Sequence, residues 1–183
     1  MTETPDSLGS GVALEDRLPI RCQPLPAHSD AFARQQANEE VLRAILSLDE
    51  IHRSELHEQD PALAQELVRL ESKVDLVLEL VGQLLVRQLF LPEAVPLRVF
   101  AGRVEWEAAA PPATGQPVLI ELFICPRIPR PLWLAATVLA APRPGWAAAR
   151  FGDLGDSVQD QLEKLIFRHH RRRVAVTRRT GAS

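Results

Sequence analysis

Histidine pairs and an arginine cluster are the residues whose types and spacing have most capacity for chemistry. His52 and His57 are five apart, a spacing that puts them on different faces of a helix, where they share neither a metal nor a proton. His169 and His170 adjoin Arg168, Arg171, Arg172 and Arg173, whose positive charge opposes cation binding, so they read as solvated histidines near a helix end. The motifs G-x-S-x-G and H-E-x-x-H, a P-loop and a strand-linked G-x-G-x-x-G are all absent. The expectation is a protein with no catalytic residues, no metal ligands and no cofactor. The arginine run, continued by Arg178 and Arg179, could contact phosphates of a nucleic acid or another anion. Cations at a helix C-terminus also offset the helix dipole, and this simpler reading is preferred to a nucleic-acid partner. Trp106, Trp133 and Trp146 lie in apolar strand contexts and read as core anchors rather than stacking platforms.

The elements that must position these residues are marked by apolar periodicity. Residues 1–16 carry Pro, Ser, Gly and acids without a period and read as a disordered lead-in. Leu18, Ile20 and Cys22 alternate with Pro19, Arg21 and Gln23, which predicts a short edge strand. Ser29 or Asp30 can cap a first helix carrying Phe32, Val41, Ile45 and Leu48 and reaching about His57. Asp60-Pro61 opens a second helix, because Asp accepts from orphan N–H groups and Pro gives up one that has no partner. Pro92 stops it near Leu91.

Past Val95, runs over 96–106, 117–124, 132–141 and 145–151 are separated by Pro and Gly clusters, the texture of a small antiparallel barrel or sandwich. Asp153 or Asp156 can then cap a last helix with Val158, Leu162, Leu165 and Ile166 on one face. The chain has 183 residues, a hydrophobic fraction of 46% and a net charge of -3, ordinary values for a compact unit with one extended element. No run approaches the length of a membrane span and no cationic start precedes the first apolar residues, so a cytoplasmic protein without membrane insertion is expected. Cys22 and Cys125 read as small buried apolar residues rather than a disulfide.

Leu63, Leu67, Leu70, Val74, Val77, Val81, Leu84, Gln88 and Leu91 are spaced alternately by four and three residues. That spacing keeps one seam facing a partner as helices supercoil, with Gln88 able to fix register. Leu78, Leu80 and Leu85 widen the surface beyond what two strands need, which favours three or four strands or the first helix alongside. The alternative is packing within a monomer, but a rod of about 45 Å overhangs a barrel whose radius of gyration is about 12 Å. A homo-oligomer, and a tetramer in particular, is the expectation.

With barrel and closing helix in place, the chain resembles PilZ domains, small barrels known as cyclic di-GMP receptors in bacterial signalling. The resemblance rests on Val104-Glu105-Trp106, on the turn and strand from Gly115 to Leu122, on Pro131-Leu132-Trp133-Leu134 to Val138, and on Phe151-Gly152-Asp153-Leu154 with Leu162, Ile166-Phe167 and Arg171. It implies an α+β protein: a barrel from 17–26 and 95–173 with its closing helix, a two-helix coiled-coil insertion over 28–91, as in tetramer-forming members, and a basic tail over 174–183.

Binding in typical members rests on R-x-x-x-R before the first strand and [D/N]-x-S-x-x-G in a later loop. Arg17 and Arg21 have the first spacing, but if the strand begins at Leu18 the matching positions are 13 and 17, and 13 is alanine. In the second motif Arg98, Phe100 and Arg103 stand where Asp or Asn, Ser and Gly are needed. Arg lacks glycine's backbone freedom and Phe cannot donate the serine hydrogen bond. The leading expectation is therefore an oligomeric adaptor presenting its barrels to an unidentified protein partner in signalling, motility or pilus function, with negligible cyclic di-GMP affinity. A receptor using Arg17, Arg21, Arg98 or Arg103 in another geometry is the alternative, and a nucleic-acid binder using the arginine-rich end is the third.

Overall fold

The computed structural model describes residues 11–51, 61–88, 90–125 and 127–180. Its strands are β1 (Leu14–Pro24), β2 (Ala94–Val99), β3 (Arg103–Glu107), β4 (Pro117–Leu122), β5 (Leu132–Leu139) and β6 (Trp146–Phe151). The helices are α1 (Ala31–Ile51), α2 (Pro61–Gln88) and α3 (Asp156–Thr180). All strand pairs are antiparallel and the sheet closes as β1-β2-β3-β6-β5-β4, so it is a barrel without a free edge pair.

Closure depends on β1, which pairs with β2 from Leu14 to Pro19 and with β4 from Ile20 to Pro24. Pro19 stands at the changeover, where its missing N–H matters least, and its carbonyl accepts from the Phe123 N–H at 3.1 Å. The strand therefore starts three residues before Arg17: Leu14 pairs with Val99 and is buried, so residues 14–16 are ordered barrel rather than lead-in. The run over 96–106 is likewise two strands, turned at Phe100 to Arg103, where the Phe100 N–H donates to the Arg103 carbonyl at 2.8 Å. Inside the barrel, Leu97, Val99, Val104, Ile120, Leu122, Leu132 and Leu134 are fully or almost fully buried. Large and small residues face one another, as Trp106 does Ala147. Trp106 is the one tryptophan in this interior among the three. Trp133 alternates with the inward Leu132 and Leu134, and Trp146 precedes the buried Ala147, so both are only partly buried.

Helices α1 and α3 pack together, the Arg168 side chain donating to the Leu46 carbonyl at 3.2 Å, and both add to the barrel core. Asp30 caps α1, accepting from the Ala33 N–H at 3.1 Å. Val41, Leu42, Ile45 and Leu46 are its buried residues, two adjacent pairs because the helix lies between β5 and α3; Phe32 is exposed. Asn38, also buried, donates to the Trp133 carbonyl at 3.0 Å and accepts from the Trp133 N–H at 2.8 Å, completing β5 where β6 has not yet begun to pair with it. At α3 the cap is Gly155, whose carbonyl accepts from the Gln159 N–H at 3.0 Å, while Asp153 accepts from the Gly155 N–H at 2.9 Å. Gly155 has φ +72, and a side chain there would strike Gln35. α3 continues through Thr180, so residues 174–180 extend the closing helix rather than trailing it. The end of the first helix at His57 and the Asp60 cap lie outside the described residues. Among the described residues no helix is long and apolar enough to cross a membrane.

Candidate functional site

Period-two alternation in β1 and β2 sends Leu14, Leu18, Leu97 and Val99 inward and Glu15, Arg17, Arg21 and Arg98 outward. Register then places Glu15 opposite Arg98 and Arg98 opposite Glu105 of β3. Arg98 Nε donates to Glu15 Oε1 at 3.0 Å, its Nη2 is 2.9 Å from the same oxygen, and its Nη1 lies 3.8 Å from Glu105 Oε2. Arg103, at the start of β3, donates from Nε to Glu105 Oε1 at 3.1 Å. Between the two arginines lies the Phe100 ring, with Arg103 3.8 Å and Arg98 5.6 Å from its centroid. Glu105 is 6% exposed although it faces outward, because these guanidinium groups cover it.

The consequence is chemical. A guanidinium is a fork of five donors that recognises phosphate by offering unspent N–H groups. Arg98 directs Nε and Nη2 at Glu15 and Arg103 directs Nε at Glu105, and both guanidinium groups approach the Phe100 ring, so these donors are turned to the protein's own groups rather than to a ligand. Arg21 is committed in the same way: it donates to Glu121 Oε2 at 2.8 Å and to the Phe90 carbonyl at 2.9 Å, while Gln23 donates to Glu121 Oε1 at 3.0 Å. Arg17 donates to the Ala94 carbonyl at 3.0 Å. Both Arg17 and Arg21 lie within β1, so neither belongs to a loop preceding the barrel, and Ala13 is the residue that immediately precedes it.

Register brings Arg98 and Arg103 together around Glu105, whereas Arg21 sits around the other carboxylate, Glu121, on the stretch of β1 that pairs with β4. Sequence reasoning missed both glutamates and Glu15, since nothing in a single chain says which outward residues face one another across strands. It also missed Arg143 and Trp146, stacked at 3.8 Å, which with Glu15, Arg17, Pro96 and Arg98 line a groove of about 580 Å3. Burial pushes the Cys22 thiol above its ordinary 9.0. Cys22 and Cys125 are both free thiols. Among the described residues no three His, Cys, Asp or Glu side chains gather as a metal site would require.

The α2 seam behaves differently. Leu70, Val74, Val77, Val81 and Leu84 are all exposed, Leu70 and Val77 at 57% and Leu84 at 60%, and Leu76, Leu80 and Leu85 lie exposed beside them. Leu67 and Leu91 are partly covered. The side chains of Leu63 and Gln88 lie outside the described residues. Asp75 of α2 meets Arg127 of the β4–β5 loop at 3.6 Å, a surface pair that leaves the apolar stripe open.

No curated protein matches the sequence significantly. Among solved structures, one described as a pathogenic protein from Xanthomonas campestris, with a tetrameric PilZ domain self-assembled through an unusual helical bundle, is similar with a TM-score of 0.68 and 25% identity, over 91% of each chain. The sequence pattern of the atypical PilZ domain, described as a cyclic di-GMP receptor, matches residues 42–179. That match takes in α2, strands β2 to β6 and α3 but neither Arg17 nor Arg21. A six-stranded closed barrel, a helix closing it and a long helix between its first and second strands thus agree in sequence and in fold, and the chain belongs to the atypical PilZ domain family.

Proposed function

We propose that this protein is a non-catalytic PilZ adaptor, assembled as a tetramer through α2, whose barrels present surfaces to a protein partner and do not take cyclic di-GMP through the usual motifs. The observation that carries the reading is the commitment of Arg98 and Arg103 to Glu15, Glu105 and Phe100. Self-association is supported by the exposed apolar stripe of α2 and by the helical bundle of the Xanthomonas campestris protein. Four copies fit the stripe best, since Leu80 and Leu85 extend it beyond a two-stranded seam.

Calorimetry with cyclic di-GMP tests the reading. Each lost charge-assisted contact is worth about 1.5–3 kcal/mol, so losing two or three weakens a micromolar site by roughly a hundredfold to beyond a thousandfold. No saturable heat is expected at micromolar concentrations. The second reading, a receptor with different contacts, is favoured by the family's description and by the groove holding Arg17, Arg98, Arg143 and Trp146. Stoichiometric binding abolished by Arg98→Ala with Arg103→Ala would establish that reading instead.

A further inference from the structure

The groove that holds Arg17, Arg143 and Trp146 owes one wall to a single turn. Arg143-Pro144-Gly145-Trp146 reverses the chain between β5 and β6, with the Trp146 N–H donating to the Arg143 carbonyl at 3.2 Å and Gly145 at φ +76. Proline second and glycine third is the pattern of a type II turn, fixed by the chain itself. The Ala108 N–H, just past β3, fastens the turn by donating to the Gly145 carbonyl at 2.9 Å. Arg143 and Trp146 are thereby brought together, the guanidinium carbon lying 3.8 Å from the centre of the indole ring. Arg17 of β1 and Pro96 of β2, which register pairs, line the same groove.

The charged groups of the groove differ in what they already bond. Glu15 accepts from Arg98, and Asp16 accepts from the Arg17 N–H at 2.7 Å with His169 3.8 Å away, so both acids have partners within the chain. Arg17 gives one guanidinium donor to the Ala94 carbonyl. Arg143 is exposed and, among the described residues, meets the indole ring but donates to no acceptor. A guanidinium over an aromatic face keeps its N–H donors in its own plane, where a carboxylate can reach them. What the groove offers a ligand is therefore positive charge from Arg17 and Arg143 beside an apolar seat made by Pro96 and the half-buried Trp146. Glu15 and Asp16 on the same wall oppose concentrated negative charge, which favours carboxylates carried one at a time along a peptide. The sheet is closed, so recognition falls to side chains rather than to an added strand. We propose that this groove docks an acidic segment of the protein partner, an apolar side chain resting on Trp146 and Pro96 while flanking Asp or Glu carboxylates meet Arg17 and Arg143. Such docking presupposes the adaptor reading above and says which face of the barrel the partner meets. The turn is set before binding, so little ordering is needed at this wall.

The test follows the indole N–H signals of the three tryptophans in the full chain by nuclear magnetic resonance, with Trp146 assigned by Trp146→Phe. The ligand is a synthetic peptide with a central phenylalanine flanked by glutamates on both sides. The expected result is a saturable shift of the Trp146 signal that added salt reduces, while the buried Trp106 signal stays in place. Arg17→Gln with Arg143→Gln should weaken the binding by about tenfold or more. Unchanged Trp106 and Trp133 signals show that this variant is folded. The same peptide with glutamine in place of glutamate should leave Trp146 unmoved, and an equal shift with it would overturn the proposal. No shift with the acidic peptide in the folded wild type would overturn the docking surface alone, because the adaptor reading is decided separately by calorimetry with cyclic di-GMP. A saturable Trp146 shift with cyclic di-GMP at micromolar concentration, lost in the arginine variant, would overturn both in favour of the receptor.

Discussion

Leucine and valine supply both the barrel interior and the outer surface of α2, yet their fates are opposite. In the barrel Val99, Val104, Leu132 and Leu134 are wholly buried, whereas in α2 Leu70, Val77 and Leu84 stand more than half exposed. The barrel closes on itself, so each strand finds its hydrogen bonds and apolar neighbours within one chain. Among the described residues α2 shares few contacts with the rest of the chain, and its apolar stripe is left exposed. A closed sheet thus meets its hydrogen-bonding and apolar needs within one chain, while the heptad helix leaves its stripe uncovered, which is the basis of the assembly proposed above.

The substitution that should break this comparison most strongly is Val74→Glu with Val81→Glu. Each charge would be buried against neighbouring chains, at a cost of about 3–5 kcal/mol apiece by analogy with uncompensated buried charges. Light scattering should report the mass of a single chain in place of an assembly, and circular dichroism should retain the barrel signature. A wild-type mass equal to one chain at all concentrations would end the assembly argument.

Asn38→Ala attacks the barrel side. It leaves the Trp133 N–H and carbonyl without their partner, which should cost about 2–4 kcal/mol for two buried groups. Urea unfolding should shift to lower midpoint while the assembled mass is unchanged; equal loss of both would mean that barrel and α2 are not independent. Gly155→Ala should be milder, about 1–2 kcal/mol, because an alanine at φ +72 is strained and its methyl must displace Gln35. Its effect should appear in the thermal unfolding of the barrel and leave assembly intact.

The smallest effect expected is alkaline. Because burial raises the Cys22 thiol above 9.0, the unfolded chain loses that proton first as pH rises, so it binds fewer protons than the folded chain. The stabilisation is therefore complete below pH 9.0 and is lost as pH climbs through the folded value. Comparing wild type with Cys22→Ala from pH 8 upward should show a slightly shallower decline for the variant, since only the wild type carries this linkage.

The sequence by itself determined the parts whose signals are local. Periodicity placed α2 and most of the strands, Ser29 or Asp30 announced the cap of α1, and Arg98, Phe100 and Arg103 stood out against the binding motif, because spacing and side-chain chemistry are written along one chain. Where β1 begins was less legible, since Leu14 and Asp16 acquire strand partners only when β2 arrives eighty residues later. Tertiary structure alone decided what the arginines do. The pairing of Arg98 with Glu15 and Glu105, and of Arg21 with Glu121, follows from strand register, and a one-residue slip would turn every one of these side chains to the other face. The tertiary fold likewise made Asn38 a surrogate strand and put Trp133 and Trp146 outside the core, because closure of the barrel fixes which face of each strand is inside.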